Sequence, residues 1–108
     1  KVMGGSVQVV GTPLNYPNPF KPLSGQTTNI HYTLSTDARV SIIIFDISGH
    51  EVKRFVFSSG GNGGRAGANT ANWNGRTLVN DFAGNGMYIY KIISDNKVLA
   101  TGKLIVFD

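Results

Sequence analysis

The stretch TNIHYTLSTDARVSIIIFD, residues 28–46, decides the fold class of this chain. In residues 28–34 apolar and polar side chains alternate, which is the period of a strand with one buried face. Residues 39–46 carry apolar side chains on both faces, which predicts a strand covered on both sides at its centre. Residues 35–37 between them have the composition of a turn. The stretch therefore predicts two strands of a packed β-sheet.

Further short strands separated by turns lie around this stretch. The turns include Gly49, where glycine supplies a positive φ, and the hairpin pair Asp95-Asn96. No helical period persists in the chain. We predict an all-β fold, an Ig-like (fibronectin III-like) antiparallel β-sandwich of about seven strands. Its other strands are predicted at residues 6–10, 51–57, 70–74, 87–93 and 97–107.

The composition suits one folded domain. Of the 108 residues, 41% are hydrophobic and 15% are charged, a balance that argues against disorder. Cysteine is absent, which excludes disulfides and thiolate metal sites. The net charge is +4, but the basic residues are scattered, so we expect no nucleic-acid partner. No apolar run is long enough for a membrane-spanning helix, and no signal peptide opens the chain. The chain also lacks an initiator methionine, which suggests a fragment or a processed piece of a longer protein.

The sequence offers little for catalysis or metal binding. His31 falls on the polar face of a predicted strand and His50 in a turn, and no serine lies in a Gly-x-Ser-x-Gly motif. We therefore predict that the chain is not an enzyme and uses no cofactor and no metal. Residues 80–85 do offer oxygen atoms suitable for calcium. Because Asn, Asp and Gly are also the common turn formers, we interpret these residues as a turn.

Residues 58–69 form a glycine-rich connection that is long for a compact domain, and hence mobile or functional. A phosphate-binding loop would need a Gly-Lys-Ser/Thr sequence and a following helix, and both are missing. We interpret these residues as a flexible hairpin connection.

Aromatic residues in the second half of the chain allow two interpretations. Trp73, Tyr88 and Tyr90 could stack on a sugar ring, as in carbohydrate-binding modules. Tyr88 and Tyr90 lie in phase with Ile92, however, and aromatic residues in phase with aliphatic ones usually pack in a core. We favour the core, and keep an accessory module that binds carbohydrate or a partner protein as the alternative.

The segment NYPNPF, residues 15–20 and below called the opening segment, combines two prolines with flanking aromatic residues. Each proline fixes its own φ and favours extended geometry in the residue before it. Because proline cannot donate a sheet hydrogen bond, we expect a stiff, extended piece at a sheet edge. Tyr16 and Phe20 would pin this piece against the core.

These motifs, in this order, resemble a known family. The sequences YPNPF, TNIHYTL and VSIIIFDISGHEV closely resemble the start of the C-terminal sorting domain (type A) of the type IX secretion system. The sequences NWNGR, GMYIYKI and KLIV are similar to the later motifs of that domain. The resemblance spans about residues 15–107, and the same pattern covers the Ig-like domain of flagellar hook-capping (FlgD-type) proteins.

The resemblance implies a non-catalytic module, residues 15–108, at the C-terminus of a larger secreted or cell-surface protein. Residues 1–14 would be a linker or the end of the upstream cargo, with residues 6–10 as an added strand. The implied partner is the outer-membrane secretion machinery of Bacteroidota-type bacteria; a structural assembly role is the FlgD-like alternative. The implied recognition residues are Lys103, Leu104, Ile105, Val106 and Phe107. The implied structural motif residues are Tyr16, Pro17, Asn18, Pro19, Phe20, Asp46, Gly49, Trp73, Gly75, Gly86 and Tyr88.

Overall fold

A computed structural model of the chain describes residues 6–108 and shows seven strands in this range. Residues 1–5 of the predicted linker lie outside the described residues. The described part contains one 3₁₀ turn, Pro22–Ser24, and no helix in it is long and apolar enough to cross a membrane. The strands are β1 (Leu14–Tyr16), β2 (Thr28–Leu34), β3 (Val40–Phe45), β4 (Glu51–Phe57), β5 (Gly67–Trp73), β6 (Gly86–Ser94) and β7 (Lys97–Val106).

The strands pair into two antiparallel sheets. One sheet has the order β1-β2-β5, and the other has the order β4-β3-β6-β7. In constant-type Ig domains the fourth strand lies in the same sheet as the first, second and fifth strands. Here β4 instead pairs with β3 in the other sheet. The predicted all-β, fibronectin III-like sandwich of about seven strands is therefore confirmed.

The inner faces of the two sheets form the core. The alternation of β2 is confirmed, because Tyr32 and Leu34 are buried while His31 is exposed. β3 is covered on both sides, as predicted, because Ile42 is fully buried on the inner face and Ile43 is only 7% exposed on the outer one. The core also contains Phe20, Ile30, Val40, Ile44, Ala71, Trp73, Ala83, Tyr88, Tyr90, Ile92, Leu104 and Val106.

Both predicted tight turns are confirmed. Gly49, between β3 and β4, has a φ of 88°, a left-handed conformation that favours glycine. The hairpin between β6 and β7 turns on Asp95 and Asn96, whose φ values are 51° and 62°. Asn and Asp tolerate this conformation better than other residues with a Cβ.

The beginning of the described chain differs from the prediction. The strand expected at residues 6–10 is reduced to one antiparallel bridge, between Val9 and Leu34. The pairing along β2 is then interrupted, because Gly11 adopts a φ of 75° and Pro13 has no N–H to donate. Continuous pairing starts with β1.

The glycine-rich connection is not a hairpin, contrary to the prediction. It crosses from β4 in one sheet to β5 in the other. Residues 67–69, which were predicted to end the loop, already belong to β5. The loop is packed: the Gly63 carbonyl oxygen accepts a hydrogen bond from the Tyr32 hydroxyl (2.7 Å), and the Gly64 carbonyl oxygen accepts one from the Ala38 N–H (2.9 Å). The buried Asn69 side chain accepts a third from the Gly63 N–H (3.1 Å). The glycines therefore serve close packing.

Candidate recognition site

Strand geometry divides the predicted recognition residues at the end of the chain between two faces. Leu104 and Val106 are fully buried and belong to the core. Lys103, Ile105 and Phe107 point outward, and the exposed fractions of Ile105 and Phe107 are 38% and 60%. Since successive side chains of a strand point to opposite faces, only these three can present side chains to a partner.

The opening segment lies along the outer edge of β7. The Asn18 side chain acts like a neighbouring strand, because its Oδ1 accepts from the Ile105 N–H (2.8 Å) and its Nδ2 donates to the Lys103 carbonyl oxygen (3.4 Å). The Phe20 backbone continues this pairing, donating to the Ile105 carbonyl oxygen (3.0 Å) and accepting from the Phe107 N–H (3.1 Å). Unpaired edge strands can pair with other chains, and here the last part of that edge is closed.

Polar contacts also hold the last two residues of the chain in place. The Lys21 ammonium donates to the Phe107 carbonyl oxygen (3.1 Å) and lies 5.5 Å from the centre of the Phe107 ring. The Asp108 carboxylate accepts from the Leu23 N–H (3.1 Å), and the Asp108 N–H donates to the Asn85 side chain (2.9 Å). Sequence reasoning missed Lys21 and Asn85, because exposed polar residues leave no periodic signal.

Phe20 carries the opening segment into the core, as predicted. Its ring centre lies 5.5 Å from that of Trp73, which in turn lies 6.0 Å from that of Tyr88. Gly75 follows Trp73 with a φ of 82°, and a Cβ at this position would lie only 2.4 Å from the Pro22 Cβ. The structure thus brings Phe20, Trp73, Gly75 and Tyr88 together from three distant parts of the sequence.

The core interpretation of the aromatic residues is confirmed. Trp73 and Tyr90 are each 1% exposed and Tyr88 is 8% exposed, so none of them offers a ring face to a sugar. The Tyr88 hydroxyl donates to the Gly84 carbonyl oxygen (2.6 Å), the arrangement known in sandwich folds as a tyrosine corner. Burial raises the pKa of Tyr88 and of Tyr90, and the negative charge of Asp46 adds to the effect on the pKa of Tyr88.

The prediction that Tyr16 pins the opening segment is wrong. Tyr16 is 75% exposed, because its pairing with Asn29 places it on the outer, polar face of the three-stranded sheet. The segment is also not extended throughout. The chain bends at Pro17, Asn18 and Pro19, whose two X-Pro bonds are cis, since it must pass here from one sheet to the edge of the other.

The remaining motif residues shape the ends of strands. The Asp46 carboxylate accepts from the backbone N–H groups of His50 and Ser48 (both 2.9 Å), and these bonds hold the pKa of Asp46 below its usual value. Gly49 supplies the turn that these bonds stabilise. Gly86 begins β6 with a φ of 153°.

The turn lies earlier than the predicted residues 80–85, because the Thr77 carbonyl oxygen accepts from the Asn80 N–H (2.9 Å) and the chain turns over residues 77–80. The Asp81 carbonyl oxygen accepts from the Thr77 N–H (2.7 Å), and the Asn80 carbonyl oxygen accepts from the Arg76 guanidinium (2.8 Å). Across residues 6–108, no three His, Asp or Glu side chains come close enough to hold a metal ion.

Comparison with known proteins agrees with this arrangement. The family model "Secretion system C-terminal sorting domain" matches residues 15–107, whereas a search of curated proteins finds no match. Among solved structures, the chain is similar to PorZ, an essential bacterial surface component of the type-IX secretion system of Porphyromonas gingivalis, with a TM-score of 0.60 and 18% identity over 89% of this chain. It is also similar to the alkylpurine DNA glycosylase AlkC of Pseudomonas fluorescens, with a TM-score of 0.69 and 16% identity over 97% of this chain. The chain spans 11% of PorZ and 31% of AlkC, so these two likenesses show a shared fold.

Proposed function

Because the chain belongs to the family of secretion system C-terminal sorting domains, we propose that it directs a secreted protein through the outer membrane. The cargo is then attached to the cell surface or released, and the module itself is neither an enzyme nor a holder of a cofactor. The observation that supports this most is the closure of β7 by the opening segment, which joins both ends of the matched region into one unit.

The partners in this proposal are the outer-membrane secretion machinery and the cargo upstream in the same chain. Recognition by the machinery depends on Lys103, Ile105 and Phe107, because these are the outward-facing members of the predicted set. Leu104 and Val106 contribute by maintaining the fold. No nucleic-acid partner is proposed, since the sequence has no basic cluster with interleaved aromatic residues.

The proposed boundary between cargo and module lies at residues 14–15. Residues 1–14 serve as the linker or the end of the cargo, and residues 15–108 form the sorting module. β1 begins at Leu14, and the Val9–Leu34 bridge ties part of the linker to the first sheet. A fusion that starts at residue 6 therefore keeps every pairing that the structure describes for this sheet.

The test is a fusion of residues 6–108 to the end of a fluorescent protein that carries a signal peptide. In a host with a type IX system, we expect the reporter at the surface of intact cells, where added protease can reach it. In the same host without its outer-membrane translocon, we expect the reporter to remain in the periplasm. Periplasmic retention in the competent host would contradict the proposal.

Deleting residues 103–108 is a poor test of recognition. The deletion removes Leu104 and Val106, which are both fully buried, so loss of export would also follow from loss of the fold. Substitutions of outward-facing side chains separate the two effects.

A further inference from the structure

The outer faces of the two sheets differ in chemistry. On the three-stranded sheet, polar side chains bond to one another across the strands: His31 Nδ1 lies 3.0 Å from the Thr70 hydroxyl, and Asn72 Nδ2 donates to Asn29 Oδ1 (2.8 Å). This polar character holds over β2 and β5, whereas the edge strand β1 adds the exposed side chains of Leu14 and Tyr16. The outer face of the four-stranded sheet is instead rich in apolar side chains at one end.

This apolar outer face is formed by five residues of neighbouring strands and one turn. Phe45 of β3 is in register with Ile89 of β6, and Met87 of β6 is in register with Ile105 of β7. Ile47 lies in the turn after β3 and shares a shallow depression with Phe45 and Ile89. The exposed fractions of Ile47, Met87 and Ile105 are 74%, 41% and 38%. A contiguous exposed apolar patch is typical of an interaction surface.

Positive charge accompanies the apolar outer face. The Lys91 ammonium lies 5.4 Å from the centre of the Phe45 ring, and Lys103 is in register with Ile89. Two carboxylates lie beside this face, because Asp46 lines the same depression and Glu51 is in register with Phe45. Among the described residues they form the two ion pairs, with His50 and Arg54, so both lysines are left without a carboxylate partner. A surface that complements this face would carry carboxylates around an apolar centre.

We infer that the apolar outer face docks a protein of the secretion machinery whose surface has an apolar centre and an acidic rim. This inference rests on the proposed function and names the surface through which it acts. Strand addition at the end of β7 is blocked, because Asn18 and Phe20 already occupy the backbone groups of residues 103–107. A partner must therefore engage side chains.

A protein fits this face better than a lipid surface does. Lipid-binding segments carry clusters of about four to eight basic residues, whereas the apolar outer face has two lysines.

The experiment measures surface export of the reporter fusion with two kinds of variant. Ile105→Glu places a charge in the apolar centre, and the double variant Lys91→Glu, Lys103→Glu reverses the positive charge. We expect each to lower the surface-exposed reporter at least about tenfold. The double variant Lys91→Arg, Lys103→Arg keeps the charge and should export normally.

The matched control is Thr70→Glu, which adds a charge to the exposed outer face of the other sheet and should export like the wild type. All purified domains are checked for an unchanged thermal unfolding midpoint by circular dichroism. If Ile105→Glu fails to fold, the lysine variants, which leave the core untouched, decide the outcome.

The results separate the inference from the proposed function. Failure of the wild-type fusion to reach the surface would overturn the sorting function. Normal export of the folded variants beside an exported wild type would overturn the inference, together with the recognition role of Lys103 and Ile105, and would leave the sorting function standing. Vesicles of phosphatidylcholine and phosphatidylglycerol test the lipid alternative. Sedimentation of the wild-type domain with them, lost in the Lys→Glu double variant, would overturn the protein partner in favour of a membrane.

Discussion

Asn18 shows how one side chain can replace part of a strand. It lies between two prolines that have no N–H to donate to a sheet, and its side-chain amide supplies both a donor and an acceptor to the edge of β7. Its partners are 85 and 87 residues away along the chain. The proline pattern predicted a segment at a sheet edge, but no local pattern could predict which strand that edge belongs to.

We predict that Asn18→Ala lowers the free energy of unfolding by about 1 kcal/mol, the usual net value of intramolecular hydrogen bonds. Urea unfolding followed by circular dichroism measures this change. Asn18→Asp keeps the acceptor for the Ile105 N–H and loses the donor to the Lys103 carbonyl oxygen, so it should show which bond matters more. Asn62→Ala, at an exposed position of the glycine-rich loop, is the control and should stay within about 0.5 kcal/mol of the wild type. An unchanged stability of Asn18→Ala would contradict the role of this side chain.

At the scale of elements, most strands could be predicted because their signal is local. The alternation in β2 and the two apolar faces of β3 are read directly from period two, and the turns at Gly49 and Asp95-Asn96 from residue type. The packing of the glycine-rich loop could not be predicted, because a low-complexity sequence has the same appearance whether the loop is free or packed. What distinguishes the two cases is the Tyr32 hydroxyl and the Asn69 side chain, which contact the loop from other strands.

The packing of this loop predicts unequal effects of two neighbouring substitutions. In Gly63→Ala the added Cβ would lie 2.3 Å from the Phe57 ring, at a residue whose φ is 88°. Strain and overpacking each cost about 1–3 kcal/mol, so we expect Gly63→Ala to lower the free energy of unfolding by at least about 2 kcal/mol. In Gly61→Ala the nearest atom is the Ser58 carbonyl oxygen at 3.7 Å, an ordinary contact, and stability should change by less than about 0.5 kcal/mol. Equal effects in thermal unfolding would show that the loop is not packed as described.

At the scale of the whole molecule, the candidate recognition site could be predicted only in part. The alternation of Lys103, Ile105 and Phe107 with Leu104 and Val106 already divides the set into outer and inner residues. The apolar outer face could not be predicted, because it also needs Phe45 and Met87, which the register of three strands brings beside Ile105. Sheet order is a long-range property that no single segment encodes.

The buried Tyr32, which bonds the glycine-rich loop, makes stability sensitive to alkaline pH. Burial raises the pKa of Tyr32 to about 12, whereas an unfolded tyrosine ionises near pH 10. A group whose pKa is raised by folding stabilises the folded state while it is protonated. Tyr32 therefore contributes fully to the free energy of unfolding below about pH 10, and this contribution is lost as the pH rises to about 12. Tyr88 and Tyr90, whose pKa values are also raised, change stability in the same direction.

We therefore predict that the free energy of unfolding in urea, followed by the fluorescence of the buried Trp73, falls steeply between about pH 10 and 12. Tyr32→Phe should be less stable at neutral pH, because the Gly63 carbonyl oxygen loses its donor, but its stability should fall less over this alkaline range. Parallel pH profiles for the two proteins would show that Tyr32 does not stay protonated in the fold.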